Sequence, residues 1–314
     1  MTIKRVLDAV ERLGYIPNYT ARIGKAKNTK VVGVVLDCSL RSPKNSMIVA
    51  GIVEKLETCG YRLFFCTSAN RSGQYKGWLE DYFQFHLAGL IFLCNENRGL
   101  SRMDKKMIEQ KRIPAVVFDS LDPDGPYSTV DFDYYKDAVR LMKRLLYRVP
   151  KQMLLIEPKR LSERERLQTR AVEHVLKEYP KVKCFTMTDT SKTLEELKAD
   201  DIRNFSLNKG WLKQLLETVR DFGENDLILF HWYVPLPYVK RKAEEQRIYC
   251  RYAAFAQQLD YLSSVRDGIV SMDRMYYKAG QFCSELLLDE ITEKQEGSAC
   301  LHHKQLILNG NISL

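Results

Sequence analysis

The stretch Lys30-Val31-Val32-Gly33-Val34-Val35-Leu36 decides the fold. Its last six residues form a continuous apolar run, which is the pattern of a strand buried on both faces of a parallel sheet. A helix is predicted next, over 46–59, and Gly60 directly after it is a typical helix terminator. Strand followed by helix is therefore the unit to search for in the rest of the chain.

The strand–helix unit recurs along most of the 314 residues. A first series has further strands at 61–66, 90–94, 114–118 and 129–132 and helices at 77–85, 101–110 and 134–147. A second series has strands at 153–156, 183–187, 227–231, 248–254, 268–272 and 300–308 and helices at 163–177, 209–221, 238–245 and 276–292. Alternation that occurs twice predicts an α/β fold with two doubly wound parallel-sheet lobes. A ligand cleft is expected at the carboxyl ends of the strands, between the lobes.

The segment before the first strand differs in pattern and in charge. Apolar residues recur at three-and-four spacing over 3–13, which predicts an amphipathic helix, and a polar linker follows at 24–29. Seven cations and two carboxylates lie in residues 1–30, so this tenth of the chain carries +5 of the net charge of +9. The asymmetry indicates a polyanionic partner, with nucleic acid ahead of a membrane, although a solvated basic tail accounts for the charge equally well.

Composition and motifs exclude several other classes of protein. With 45% hydrophobic and 28% charged residues the chain is an ordinary globular one, and no apolar run reaches the length of a membrane span. No secretory signal begins the sequence, so a cytoplasmic location is expected. The eight cysteines are scattered without metal-ligand spacing, and no phosphate loop or nucleophile motif occurs, so we expect neither a metal, a cofactor nor an enzyme.

The run from Arg5 to Arg22, RVLDAVERLGYIPNYTAR, resembles the third helix and hinge of the DNA-binding domain of the lactose-repressor/galactose-repressor (LacI/GalR) family. The stretch from Lys30 to Val35 is similar to the first sensor strand of that family. Weaker matches occur at 51–54, 60–61, 87–91, 113–119, 130–133 and 280–288. The resemblance implies a helical remnant and hinge over 1–30 and a periplasmic-binding-protein-like effector-binding and dimerisation domain over 31–314. Its lobes are expected at 31–148 plus 270–296 and at 149–269 plus 297–314.

Two departures from the family pattern concern DNA binding. The first two helices of the family's domain, which lie in the major groove, have no counterpart in this chain. Gly24 occupies the hinge position where the family has a leucine that wedges between base pairs of the minor groove. The residues that the resemblance places on operator DNA are Tyr15, Asn18, Tyr19, Ala21, Arg22 and Lys25. Their cations would contact phosphates, so binding is expected to depend on salt and to discriminate poorly between sequences.

The resemblance also implies a set of effector ligands. These are Asn45, Ser46, Asp119, Ser120, Arg160, Ser162, Arg166, Phe230, Tyr233 and Gln257. Arg160 and Arg166 could grip a carboxylate, a phosphate or sugar hydroxyls, or they belong to a solvated helix face with Glu163. The family's acidic residues for sugar hydroxyls are replaced by Tyr233 and Gln257. The aromatic run 231–233 either stacks on a sugar ring or fills the cleft.

Taken with its element order, the resemblance implies a bacterial LacI-type transcriptional regulator. Its two-lobed sensor would bind a small effector, sugar-like or another metabolite, and would control operator DNA binding through the hinge. Palindromic operators require two-fold symmetry, so a homodimer is expected, with the helix at 46–59 and its neighbours as the contact surface. An effector-sensing or protein-interaction module that has lost specific DNA binding is the alternative that the departures at the amino end leave open.

Overall fold

The computed structural model describes residue 12 and residues 29–36, 43–67, 77–93, 100–120, 124–189, 208–232, 235–255, 269–298 and 300–313. Of the predicted amino-terminal helix only Arg12 is described, and it is helical and exposed. The rest of that helix, the hinge and all six predicted DNA ligands lie outside the described residues.

Twenty helices and strands make up this part of the chain. The first ten elements are β1 (Val31–Leu36), α1 (Pro43–Thr58), β2 (Arg62–Thr67), α2 (Gly77–Gln84), β3 (Gly89–Leu93), α3 (Arg102–Lys111), β4 (Ala115–Phe118), β5 (Ser128–Phe132), α4 (Tyr134–Leu145) and β6 (Gln152–Pro158). The last ten are α5 (Glu163–Leu176), β7 (Lys183–Asp189), α6 (Lys209–Thr218), β8 (Leu227–Phe230), α7 (Leu236–Glu245), β9 (Arg251–Ala254), β10 (Ile269–Asp273), α8 (Tyr276–Gln295), β11 (Gln305–Leu308) and β12 (Asn311–Ser313).

The strands form two six-stranded sheets. One sheet has the order β11-β5-β4-β3-β1-β2 and the other the order β12-β10-β9-β8-β6-β7. The pairs from β1 to β5 and from β6 to β10 are parallel, and β12 runs antiparallel to β10. Strand order that departs from chain order in both sheets is the mark of a doubly wound fold. The predicted fold class is confirmed.

The stretch Val31–Leu36 is an internal strand of its sheet, next to the edge strand β2, and its continuous apolar run predicts such burial. β1 pairs with β2 on one side and with β3 on the other, and Val32 and Val34 are completely buried. Val31 and Val35 pack with Trp78 and Leu90 in a cluster that α2 and α3 help to close. A strand covered on both faces gains burial from every side chain, which is why no polar alternation is seen in it.

The second sheet shows the same two-sided burial. Leu154 and Ile156 of β6 face a core cluster formed with α6 and α7. Met153 and Leu155 of the same strand face the opposite cluster, formed with α4 and α5. Because side chains alternate along a strand, β6 supplies both cores at once.

The described chain divides into two compact units. One contains β1 with residues 48–130 and 280–305, and the other contains residues 43–47, 131–279 and 306–313. Helix α4 packs with α5 against the second sheet. The long segment of the second unit begins at Asp131, whereas the sequence places a lobe boundary after residue 148.

Two details at the carboxyl end differ from the sequence prediction. The strand predicted over 300–308 is confined to β11, because the backbone N–H groups of His302 and Lys304 donate to the side chains of Glu293 and Ser128 at 2.8 and 2.9 Å and not to the backbone of a neighbouring strand. Strand β12 was not predicted, since its three residues carry too little apolar pattern to be recognised. Among the described helices, none is long and apolar enough to cross a lipid bilayer.

Candidate functional site

The carboxyl ends of β6 and β8 lie side by side in the second unit. Ile156 of β6 is in register with Phe230 of β8, and the backbone N–H of His231 donates to the carbonyl of Ile156 at 3.3 Å. The loop after β6 carries Arg160 and Ser162, and α5 begins directly after it. The structure thus brings four of the predicted effector residues, Arg160, Ser162, Arg166 and Phe230, to one edge of one sheet.

Ser162 has a defined local role at this edge. Its hydroxyl accepts a hydrogen bond from the backbone N–H of Glu165, and the Glu165 carboxylate accepts one from the N–H of Ser162 at 2.6 Å. This reciprocal arrangement is a capping box, which satisfies N–H groups that the first turn of a helix leaves open. The start of α5 is therefore fixed, and with it the directions in which the following arginines project.

The arginines of α5 separate into exposed and buried ones. Arg166 is exposed, and its guanidinium lies 3.1 Å from the carboxylate of Glu163. Arg160 is also exposed and makes no ion pair with any described residue. Arg164 is only 5% exposed, and its guanidinium lies 5.6 Å from the ring centre of Tyr134. Arg164 shares a helix face with the buried residues of α5. It therefore does not belong to the solvated face that carries Glu163 and Arg166.

A buried polar network supports the same edge from the α5 face of the sheet. The Thr169 hydroxyl donates to Glu157 Oε1 at 2.8 Å, and His231 Nε2 lies 3.2 Å from that hydroxyl and 3.8 Å from the carboxylate. His231 Nδ1 lies 2.8 Å from Gln168 Oε1. Gln168 Oε1 is an acceptor, so His231 Nδ1 donates to it. The arrangement suits an ionised Glu157 carboxylate that accepts from the Thr169 hydroxyl.

The electrostatics of Glu157 agree with this assignment. The nearby His231 side chain holds the pKa of Glu157 below its usual value, against the opposite effect of burial, and the hydrogen bond from the Thr169 hydroxyl adds to the lowering. Sequence reasoning missed the network. Two signals were available in the sequence: Glu157 lies within an apolar strand, and His231 directly follows a second apolar strand. A polar group that is buried in this way requires a partner.

The network predicts a pH-dependent contribution to stability. A lowered folded-state pKa means that Glu157 stabilises the fold at neutral pH and that the contribution disappears as pH falls through that pKa. Glu157→Gln is therefore expected to cost about 1.5–3 kcal/mol at pH 7, as for a hydrogen bond to a charged group, and much less near pH 3. Urea unfolding of the variant and the wild type across this range measures the difference.

Glu163→Gln is the matched control for this prediction. Glu163 is exposed and pairs only with Arg166 on the helix surface, so its loss is expected to change stability by less than about 1 kcal/mol at any pH. A cost for Glu157→Gln that stays constant between pH 7 and pH 3 would contradict the charge assignment.

The predicted effector residues of the amino-terminal half lie after β1 and β4. Asn45 is buried and Ser46 exposed in the first turns of α1. Asp119 directly follows β4 with a left-handed φ of 58°, is 3% exposed, and donates its backbone N–H to the carbonyl of Val130 at 2.8 Å. Ser120 is half-buried. Asparagine and aspartate tolerate the left-handed region better than other residues, and such positions often turn a side chain at a functional site.

The remaining predicted effector residues are less informative. Phe230 is completely buried in the core cluster on the α6 and α7 face of the second sheet. Unlike the other predicted effector residues that the structure describes, it has no exposed surface. Tyr233 and Gln257 lie outside the described residues. Within the described part of the chain, no group of three or more histidine, cysteine or carboxylate side chains could hold a metal ion.

The fold defines a class: two units, each a doubly wound α/β sheet, as in periplasmic binding proteins and the regulators related to them. The lac repressor dimer bound to operator and an anti-inducer superimposes with a TM-score of 0.72 at 17% identity, over 99% of this chain and 88% of that one. A CelR–cellobiose complex superimposes with a TM-score of 0.63 at 17% identity, over 99% of this chain and 89% of that one. At these identities the likeness shows the fold.

Sequence comparison confirms the resemblance to the LacI/GalR family. The HTH-type transcriptional repressor PurR of Actinobacillus pleuropneumoniae serotype 5b (strain L20) is 30% identical over 118 residues, 38% of this chain and 34% of PurR. PurR of Mannheimia succiniciproducens is 31% identical over the same shares. The matched region covers about a third of the length of each of these PurR proteins. No family model matches the chain.

Proposed function

We propose that this chain is a cytoplasmic LacI-type transcriptional regulator of a bacterium. Its two-lobed sensor binds a small effector and controls operator DNA binding through the segment before β1. One observation carries the proposal: the relatives found by sequence are PurR repressors, and the structures that share both sheets include repressors of the same kind. The proposed DNA ligands are the six residues from Tyr15 to Lys25 named above.

The proposed effector ligands follow the carboxyl ends of strands, each within its own unit. Arg160 supplies an exposed guanidinium without an ion-pair partner among the described residues, and Arg166 supplies a second that only a surface carboxylate holds. Asp119 and Asn45 add a carboxylate and an amide. Donors and acceptors in this mixture suit a polyhydroxylated or anionic metabolite of the sugar class. Ser46, Ser120, Ser162, Phe230, Tyr233 and Gln257 complete the proposed set.

A homodimer is part of the proposal. β2 and β7 are edge strands of their respective sheets, and each exposes a phenylalanine, Phe65 and Phe185, at 44% of its surface. Exposed edge strands with large apolar side chains are surfaces that proteins normally cover. Strand β2 follows α1, the helix that the sequence analysis places at the dimer contact. A second copy on these edges would supply the two-fold symmetry that a palindromic operator needs.

A thermal-shift screen of sugars, nucleosides and organic acids tests the proposal. A ligand that binds only the native state at a hundred times its Kd stabilises by about 2.7 kcal/mol, which raises the melting temperature of units of this size by about 5 °C or more. Arg160→Ala and Arg166→Ala are expected to abolish most of the shift. The same ligand should then change the affinity of the wild type for a duplex selected from genomic fragments.

Arg170→Ala is the control, because Arg170 is exposed one turn further along α5 and away from the strand ends. A thermal shift that is unchanged in both arginine variants would exclude α5 and the loop before it from the effector site. A ligand that binds without altering DNA affinity would contradict the regulatory part of the proposal and leave an effector-binding module.

A further inference from the structure

The surface at residues 143–151 joins α4 to β6 at the amino-terminal edge of the second sheet, opposite to the edge of that sheet that carries Arg160 and Ser162. Lys143, Arg144, Arg148 and Lys151 are all exposed there, and none of them makes an ion pair with a described residue. The sequence from 138 to 156 contains no acidic residue. Basic residues in the last turn of a helix stabilise its end, but that accounts only for the first two cations.

Exposed aromatic side chains lie at the same amino-terminal edge of the second sheet. Tyr147 is 85% exposed and Val149 54% exposed, and Tyr249, which precedes β9, is 56% exposed. Neither tyrosine ring stacks on a ring or cation of the described residues. Other tyrosines of the fold do so: Tyr82 lies against Lys294, and Tyr238 lies against Arg241. Within the described part of the chain, therefore, the two rings have no stacking partner and the four cations have no ion-pair partner.

The backbone that presents these side chains is held at both ends. Arg251 of β9 donates from Nη1 to the carbonyl of Leu145 at 2.8 Å and from Nη2 to the carbonyl of Arg148 at 2.7 Å. At the other end, the buried carboxylate of Asp226 accepts from the N–H groups of Lys151 and Gln152 at 3.0 and 2.8 Å. Asp226 is thereby turned inward and presents no negative charge to solvent.

A surface that is fixed before binding loses little entropy when a partner docks. Cations without partners match a chain of phosphates, and exposed tyrosine rings match unpaired bases, which stack on aromatic side chains whatever their sequence. An acidic protein would use the charges but not the rings. We propose that the surface at 143–151, together with Tyr249, binds single-stranded nucleic acid. This activity is separate from the operator binding proposed above for the segment before β1.

Fluorescence anisotropy of a short labelled oligo(dT) with the full chain tests the proposal. The fourfold variant Lys143→Gln/Arg144→Gln/Arg148→Gln/Lys151→Gln is expected to bind at least about 10-fold more weakly. It should also reduce the slope of log affinity against log salt by up to about 3, at about 0.7 for each lost phosphate contact on a single strand. Tyr147→Ala is expected to weaken binding roughly 5-fold or more with an unchanged salt slope, because stacking does not release counterions.

A charge-matched control separates this surface from general electrostatics. Arg102→Gln/Lys106→Gln/Lys111→Gln/Lys209→Gln removes four exposed cations elsewhere and leaves residues 1–30 unchanged, so any contribution of that segment is common to all proteins compared. Binding by the fourfold variant that equals this control would overturn the proposal. An unchanged affinity for Tyr147→Ala, with polyglutamate competing as well as oligo(dT), would show an acidic-polymer surface and would overturn the assignment to nucleic acid.

Discussion

Gly280→Ala is expected to destabilise the protein by about 3 kcal/mol or more and to lower its melting temperature by about 10 °C. A Cβ at position 280 of α8 would lie 2.1 Å from the carbonyl oxygen of Ile48, 3.0 Å from its carbonyl carbon and 3.1 Å from the backbone nitrogen of Ile52. These are backbone atoms of α1, so no change of rotamer relieves the contact. The two helices would have to separate at a point where both isoleucines are completely buried.

The expected loss of stability is opposite to the gain that helix propensity alone predicts, so the measurement distinguishes the two effects. Alanine in place of glycine within a helix normally stabilises it by about 1 kcal/mol. Gly210→Ala is the matched control, because Gly210 is exposed near the start of α6 and its Cβ would meet only Asn208 Oδ1, at 3.3 Å. Gly280→Ala that unfolds at the wild-type temperature or above would show that α1 and α8 do not cross as closely as described.

Glu290→Ala is expected to cost about 3–5 kcal/mol, since it leaves several buried donors without an acceptor at about 1–3 kcal/mol each. The Glu290 side chain of α8 is 1% exposed. It accepts from the N–H of Ala115 at 2.8 Å, from the N–H and hydroxyl of Ser128 at 3.2 and 2.5 Å, and from His303 Nδ1 at 2.9 Å. One carboxylate therefore holds the first residues of β4 and β5 and the segment before β11.

Calorimetry and amide hydrogen exchange measure the two consequences. Protection of the Ala115 and Ser128 amides should fall more than that of other amides in the same sheet. Asp289→Ala is the control on the neighbouring position of α8, because Asp289 and its partner Lys304 are both more than half exposed and such pairs contribute at most about 1 kcal/mol. Equal costs for the two variants would contradict the role assigned to Glu290.

The sequence predicts the sheets because their strands are buried on both faces. Apolar runs such as Val31–Leu36 and Leu227–Phe230 predict a buried strand. Most helices and strands begin and end within a few residues of the predicted positions. β12 escapes prediction because its stability comes from pairing Met272 with Ile312, a contact set by the position of β10 and not by local pattern.

The candidate site is harder to predict, because its geometry depends on contacts between distant residues. Nothing in the spacing of Glu157, Thr169 and His231 shows that α5 lies over the ends of β6 and β8. The exposure of Arg166 and the burial of Arg164 depend on where the capping box starts the helix. Helical spacing does identify Glu290 as a core position, since it shares a face with Leu287 and Ile291, but it does not name the donors.

The last strands have a consequence for synthesis of the protein on the ribosome. β11 completes one sheet and β12 the other, and Gly310 between them is anchored by its N–H to the carboxylate of Asp137 at 2.9 Å. Neither sheet can therefore reach its final set of strands until residues 305–313 have left the exit tunnel. A premature stop codon or carboxypeptidase trimming near residue 304 would expose the apolar strands β5 and β10 as new sheet edges, which is the kind of species that quality-control proteases remove.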